Sequence, residues 1–122
     1  MPTSNPLISI VTPTYKRPEL LKRAACSVMA QDYENWEWII SDDEYPPGEE
    51  WHYASKLSKL DHRIKLIANS GKHGQVGNTN NAMKAAKGDW IKPLHDDDSL
   101  RHLCLDVLVR VVYDRPSIAM VT

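Results

Sequence analysis

Asp96, Asp97 and Asp98 stand side by side, with His95 before them and Ser99 after. Adjacent carboxylates repel, and keeping them close and ionised calls for a compensating cation. Magnesium and manganese favour oxygen donors, and one or two protein carboxylates with substrate phosphates satisfy magnesium. The triplet is therefore a candidate metal site. A plainer alternative is a solvated turn in which Asp98 or Ser99 caps the following helix. A second acidic group, Asp42-Asp43-Glu44, follows another apolar run.

Regular elements have to bring such groups together. Leu7 to Thr12 is a β-branched run halted at Pro13, which predicts a buried strand. Pro18 suits a first helical turn, and Leu20, Leu21, Ala24, Ala25, Val28 and Met29 form one apolar face. Trp36 to Ser41 predicts the second strand, running into Asp42. Glu49 to Leu60 predicts a helix, with Trp51, Leu57 and Leu60 turned inward. Arg63 to Ala68 is the third strand. The segment 69–77 holds Gly71, Gly74 and Gly77 and predicts a tight loop. A helix follows with Val76, Asn80, Met83 and Ala86 in register, and Gly88 as its stop. Trp90 to Leu94 is the fourth strand, and Leu100 to Tyr113 the last helix. Pro116 ends that helix, and Ile118 to Thr122 begins another strand.

Such alternation predicts a parallel sheet with helices on its faces. Ligands of these sheets bind beyond the carboxyl ends of the strands, near the switch in strand order. Thr12–Tyr15, Asp42–Glu44 and Asp96–Asp98 all fall there. A shared sheet edge strengthens the case for a site over a solvated turn.

Composition narrows the partners. The chain has 122 residues, enough for one domain with a core, and a formal net charge of −1 without a basic block. Nucleic acid and anionic membrane are therefore poor partners on electrostatic grounds. No apolar segment reaches membrane-spanning length, and Met1 to Pro6 lacks the pattern of a secretory signal. The expected location is cytoplasmic, or the cytosolic face of a membrane in a longer parent protein. Cys26 and Cys104, the two cysteines, are expected as core or near-core side chains. Trp36, Trp38 and Trp90, in or beside strands, are expected to pack in the core rather than stack on a ligand.

The ordered series Ile8–Tyr15, Lys16-Arg17-Pro18-Glu19-Leu20-Leu21, Ser27 to Gln31, Trp38 to Asp43, Asn69, Gly71, Asn80 and Ala86 to Ile91, leading into the acidic run, resembles the start of family 2 glycosyltransferases. The resemblance covers nearly the whole chain from Leu7. It implies an α/β fold: a Rossmann-like three-layer sandwich with a mostly parallel sheet, the nucleotide-diphospho-sugar transferase fold. It implies an inverting transfer from a nucleotide-diphosphate sugar, a UDP-sugar foremost, to the hydroxyl of a saccharide or other acceptor. It also implies a divalent cation, manganese or magnesium. By position, Pro13 and Tyr15 match the nucleobase pocket, and Asp43, with Asp42 beside it, the uracil contact. Asp96 matches a position near the ribose, Asp97 the metal ligand, and Asp98 an acid reaching the metal through water.

Three departures stand out. His95 occupies the place of the signature's first Asp. Thr79 stands where many members carry an arginine; Lys72 and His73 are candidate replacements, though each reads more plainly as a solvated loop residue. The family's acceptor-binding half, with its general base, is expected beyond Thr122. Residues 1–122 are thus read as a single donor-binding domain, one that calls for a missing C-terminal region or an oligomeric partner. A non-catalytic nucleotide- or protein-binding module on the same fold stays open. A phosphoacceptor signalling domain and a dehalogenase-like phosphatase fit less well. Both need an acid after the first strand, where this chain has Thr12-Pro13-Thr14-Tyr15.

Overall fold

A computed structural model of the chain describes residues 5–44 and 46–114. In chain order its elements are β1 (Ile8–Thr14), α1 (Pro18–Met29), β2 (Trp36–Asp42), α2 (Glu49–Leu60), β3 (Ile64–Ala68), α3 (Gln75–Ala85), β4 (Trp90–Pro93) and α4 (Cys104–Asp114). The strands form one sheet in the order β3-β2-β1-β4, with every pairing parallel. The expected final strand, Ile118 to Thr122, lies outside the described residues.

Alternation along the strands makes two cores. Ile8, Ile10, Trp36, Trp38 and Ile40 face one side, where Leu21, Ala24, Ala25 and Val28 of α1, Ala54 and Leu57 of α2, and Leu105 and Val109 of α4 cover them. Val11 and Ile39 face the other side, against Ala82 of α3. Helices on both faces of a parallel sheet make the expected three-layer α/β sandwich. Among the described residues, no helix is long and apolar enough to cross a membrane.

Several boundaries differ from the sequence reading. β1 continues through Pro13 to Thr14, because its pairing with β4 ends at Val11. Beyond that point no neighbouring strand needs the N–H that proline lacks. In α2 the buried positions are Glu50, Ala54 and Leu57, while Leu60 is 81% exposed and Trp51 only half-buried. In α3 the inward residues are Asn78 and Ala82, and Val76 points to solvent. The phase of α3 is set by Asn78, whose amide donates to the carbonyls of Thr14 (3.2 Å) and Ser41 (2.9 Å). Helix α4 starts at Cys104 rather than Leu100, so neither Asp98 nor Ser99 caps it; the Asp98 N–H instead closes a turn onto the His95 carbonyl. Leu103 and Val107 are exposed, and so is Cys26, contrary to its expected core position. Trp36 and Trp38 are buried as expected.

At the amino-terminal edge of the sheet, Glu37 is buried between Ser9, Lys65 and the Lys87 N–H. Burial pushes its carboxyl up, but these hydrogen bonds and the Lys65 charge outweigh that and hold it below the usual range. Gly88 belongs to this cluster. It does not end α3, which stops at Ala85; its N–H donates to Ser9 Oγ at 2.7 Å. A Cβ there would lie 2.5 Å from Ser9 Oγ and 2.7 Å from the Leu7 carbonyl oxygen. Gly88→Ala is therefore expected to destabilise the fold by about 1–3 kcal/mol, the range for overpacking against backbone. A urea titration checks it; an unchanged midpoint would mean the β1–β4 edge yields easily.

Candidate functional site

The sheet order reverses between β1 and β4, and a cleft of about 1030 Å³ opens there at the carboxyl ends of the strands. Pro13, Thr14, Tyr15 and Arg17 line it from the end of β1, and Asp43 from the end of β2. His73, Gly74, Gln75 and Asn78 contribute from the start of α3, and His95 to Asp98 from beyond β4. Of the residues singled out in the sequence, Pro13, Tyr15, Asp43, Asp96, Asp97 and Asp98 meet in this one cleft. Asp42 is not among its lining residues; its side chain is 2% exposed, and its Oδ1 accepts the Glu44 N–H at 2.9 Å.

Asp43 organises one wall. Its Oδ1 accepts from Asn69 Nδ2 and His73 Nδ1, and its Oδ2 from the Gly74 N–H, each at 2.8 Å. A carboxylate only accepts, so His73 carries its proton on Nδ1. Gly74 has φ +107, a conformation glycine tolerates, and its N–H opens helix α3 toward the carboxylate. Burial pushes the Asp43 carboxyl up, but the Gly74, Asn69 and His73 hydrogen bonds prevail and hold it below the usual range. Asp43 is thus ionised near neutrality, and one lone pair of Oδ2 remains for a ligand.

The opposite wall carries the acidic run. Asp96 is buried, and its Oδ2 accepts from Thr14 Oγ1 at 3.1 Å. Arg17 Nη1 lies 3.6 Å from Asp96 Oδ1 and 3.9 Å from Asp97 Oδ2. Burial raises the Asp96 carboxyl above its usual range, against the Thr14 hydrogen bond and the Arg17 charge. Asp97 and Asp98 are exposed toward the cleft. Gln75 Nε2 donates to His95 Nδ1 at 3.0 Å across the opening, which leaves the imidazole proton on Nε2.

The sequence reading missed Arg17, Gln75 and Asn78 as lining residues. Arg17 was visible only as part of a loop, and Asn78 as one polar residue among several in a helix. His73, weighed as a replacement cation, does reach the cleft, whereas Lys72 is not among its lining residues.

The donor set bears on a divalent ion. Among the described residues, no three His, Cys, Asp or Glu side chains gather as a ready-made cage. Magnesium does not need one, because it keeps waters and takes phosphate oxygens beside one or two carboxylates. The exposed carboxylates of Asp97 and Asp98, opening on a cleft wide enough for a nucleotide, fit that pattern.

Comparison with known proteins accords with this geometry. Residues 9–122 match the sequence pattern described as "Glycosyl transferase family 2". The putative colanic acid biosynthesis glycosyl transferase WcaA of Escherichia coli (strain K12) is 43% identical over 96 residues, 78% of this chain and 34% of that protein. The GalNAc(5)-diNAcBac-PP-undecaprenol beta-1,3-glucosyltransferase of Campylobacter jejuni is 36% identical over 106 residues, 86% of this chain and again 34% of that protein. The chain thus spans about a third of the length of these relatives. Among solved structures, S. aureus TarS in complex with UDP-GlcNAc aligns with a TM-score of 0.75 at 20% identity, covering 89% of this chain and 32% of that one. The mannosyltransferase PcManGT from Pyrobaculum calidifontis, in complex with GDP-Man and Mn2+, aligns at 0.73 and 18% identity, covering 88% and 32%. At such identities these two structures speak for the fold, and the sequence match settles the family: the chain belongs to glycosyl transferase family 2.

Proposed function

We propose that residues 1–122 form the donor half of an inverting glycosyltransferase, holding a nucleotide-diphosphate sugar, foremost a UDP-sugar, for transfer to an acceptor hydroxyl. The observation that carries this reading is one cleft with an ionised acceptor on one wall and exposed carboxylates on the other. The half-exposed ring of Tyr15 and the adjoining Pro13 supply a flat surface for a base, and Asp43 Oδ2 an acceptor for a base N–H. Asp96, anchored by Thr14, faces the ribose region, and Asp42 supports Asp43 from below. Asp97 and Asp98 would hold magnesium or manganese. When bound, such an ion is a Lewis acid that stabilises the charge growing on a departing diphosphate. Arg17 and the His95 Nε2–H are the cleft's own donors toward the same charge. Inversion in one displacement also requires a base for the acceptor proton. The acceptor region and that base belong to the remainder of a longer protein or to a partner chain, acting on the cytosolic side. The relatives' glycosyltransferase names and the UDP-GlcNAc and GDP-Man complexes of the same fold support this assignment.

Calorimetry with UDP, in manganese and in chelator, tests the reading. Manganese is expected to tighten UDP binding at least about tenfold, as one well-placed charge interaction implies, and Asp97→Asn to remove most of that gain. UDP binding indifferent to both would overturn the metal assignment. Hydrolysis of a UDP-sugar separates an enzyme from a module that only binds.

A further inference from the structure

Outside the lining of the cleft lies a buried acid that the proposed chemistry does not use. Glu50, in the first turn of α2, is 1% exposed, and Asp42 at the end of β2 is 2% exposed. The two carboxyls meet, yet Asp42 Oδ2 and Glu50 Oε2 have no other partner. A single proton shared between them would supply it, since two buried carboxylates in contact resist ionising together. The other oxygen of Glu50, Oε1, accepts the Arg17 N–H at 2.8 Å. That bond pins the turn between β1 and α1, where Lys16 is held at φ 53, in the left-handed region that non-glycine residues seldom adopt. Arg17 is the residue whose guanidinium reaches Asp96 and Asp97.

We infer that Glu50 is a positioning residue for the donor site: as a neutral carboxyl shared with Asp42, it fixes the β1–α1 turn and thereby sets Arg17 against the acidic wall of the cleft. The role rests on the donor-site reading above. Neutrality is the essential property. The charged and titratable groups around the pair are Asp43 and Glu44, which act on Asp42, together with Arg17 in the turn and Asp96 beyond Thr14. Burial, reinforced by Asp42, pushes the Glu50 carboxyl up to about 8, while the Arg17 N–H and Thr14 pull the other way. Above that pH a second negative charge enters the buried pair, directly behind the turn that carries Arg17 toward the cleft. Its folded pKa exceeds the unfolded one, so the pair's contribution to stability is full below the ordinary glutamate range and is lost as pH rises through about 8.

Glu50→Gln tests the inference, because an amide can both accept from Arg17 and donate to Asp42 without ever charging. In magnesium, wild-type affinity for UDP is expected to fall about tenfold between pH 7 and pH 9, as a buried charge near the site implies, while Glu50→Gln changes by less than half of that on a logarithmic scale. Ionisation of UDP itself affects both proteins alike. In parallel, the Arg17 amide resonance should titrate near pH 8 in the wild type and stay flat in Glu50→Gln. Parallel affinity profiles, or an Arg17 amide that ignores pH, would overturn the role. Absence of UDP binding at every pH would instead remove the donor-site reading and this role with it, whatever the amide does.

Discussion

Asp43→Ala is expected to lower affinity for UDP about a hundredfold while the chain stays folded. Hydrogen bonds to a charged group contribute about 1.5–3 kcal/mol, and each 1.4 kcal/mol is a factor of ten. In the free chain the carboxylate gathers three donors, from Asn69, His73 and Gly74, and so holds the segment 69–74 against the end of β2. Alanine releases that segment and removes the acceptor for a base N–H together. Asp43→Asn separates the two effects in part. Its amide keeps one acceptor but turns donors toward the Gly74 N–H or the His73 ring, so it should fall between wild type and alanine. Circular dichroism confirms folding and calorimetry reads the affinity. An alanine variant within threefold of wild type would exclude Asp43 from the nucleotide contact.

The second large effect concerns the frame. Trp38→Ala is expected to destabilise the chain by about 3–5 kcal/mol, the range for truncating a buried aromatic. Domains of this kind are stable by about 5–15 kcal/mol, so the variant would sit near unfolding. Trp38 is 0% exposed at the centre of the larger core, and its Nε1–H donates to Thr12 Oγ1 at 2.8 Å. Trp38→Phe keeps an aromatic ring, smaller than the indole, and loses that bond, and should cost about 1 kcal/mol for the bond beyond the repacking. Urea midpoints measure both. A change under about 1 kcal/mol for alanine would mean that the core closes over the loss.

The frame was legible because strands and helices write their periods into the apolar residues. Trp36, Trp38 and Ile40 alternate with Glu37, Ile39 and Ser41, and each set covers its own face of the sheet. The same logic failed where polar residues set the phase. Val76 and Leu60 carry apolar side chains at helical spacing yet lie exposed, while Asn78 and Glu50 turn inward. Asn78 turns in because two strand-end carbonyls need its amide, a requirement that exists only after β1 and β2 pair. Glu50 turns in because Asp42 and the Arg17 N–H wait there, across a proline-rich loop and in a different element.

The acidic residues of the cleft were legible for a different reason. Parallel strands deliver their carboxyl ends to one edge, so Asp43 and Asp96–Asp98 had to converge once the alternation of elements was recognised. The cation among them was not, since Arg17 sits in a turn held by its own N–H donating to the Glu50 side chain of α2. The start of α4 was misplaced for a related reason. Leu100 to Leu103 continue the apolar pattern, but the chain spends them in turns before the helix begins at Cys104.

The strand order also governs how the chain reaches its fold. β1 is synthesised before the other three described strands, yet it lies inside their sheet, and its second edge is met only by β4, 82 residues later at Ile8–Trp90. Such long-range parallel pairing is slow, because loop closure must precede the contacts that reward it. Until Trp90–Pro93 arrive, Ile8 to Val11 keep an unpaired backbone edge, and exposed edges of apolar strands invite pairing with other chains. The reversal that creates the cleft therefore makes it the last junction among the four described strands to assemble, and leaves that edge of β1 open in the nascent chain until just before the acidic run emerges.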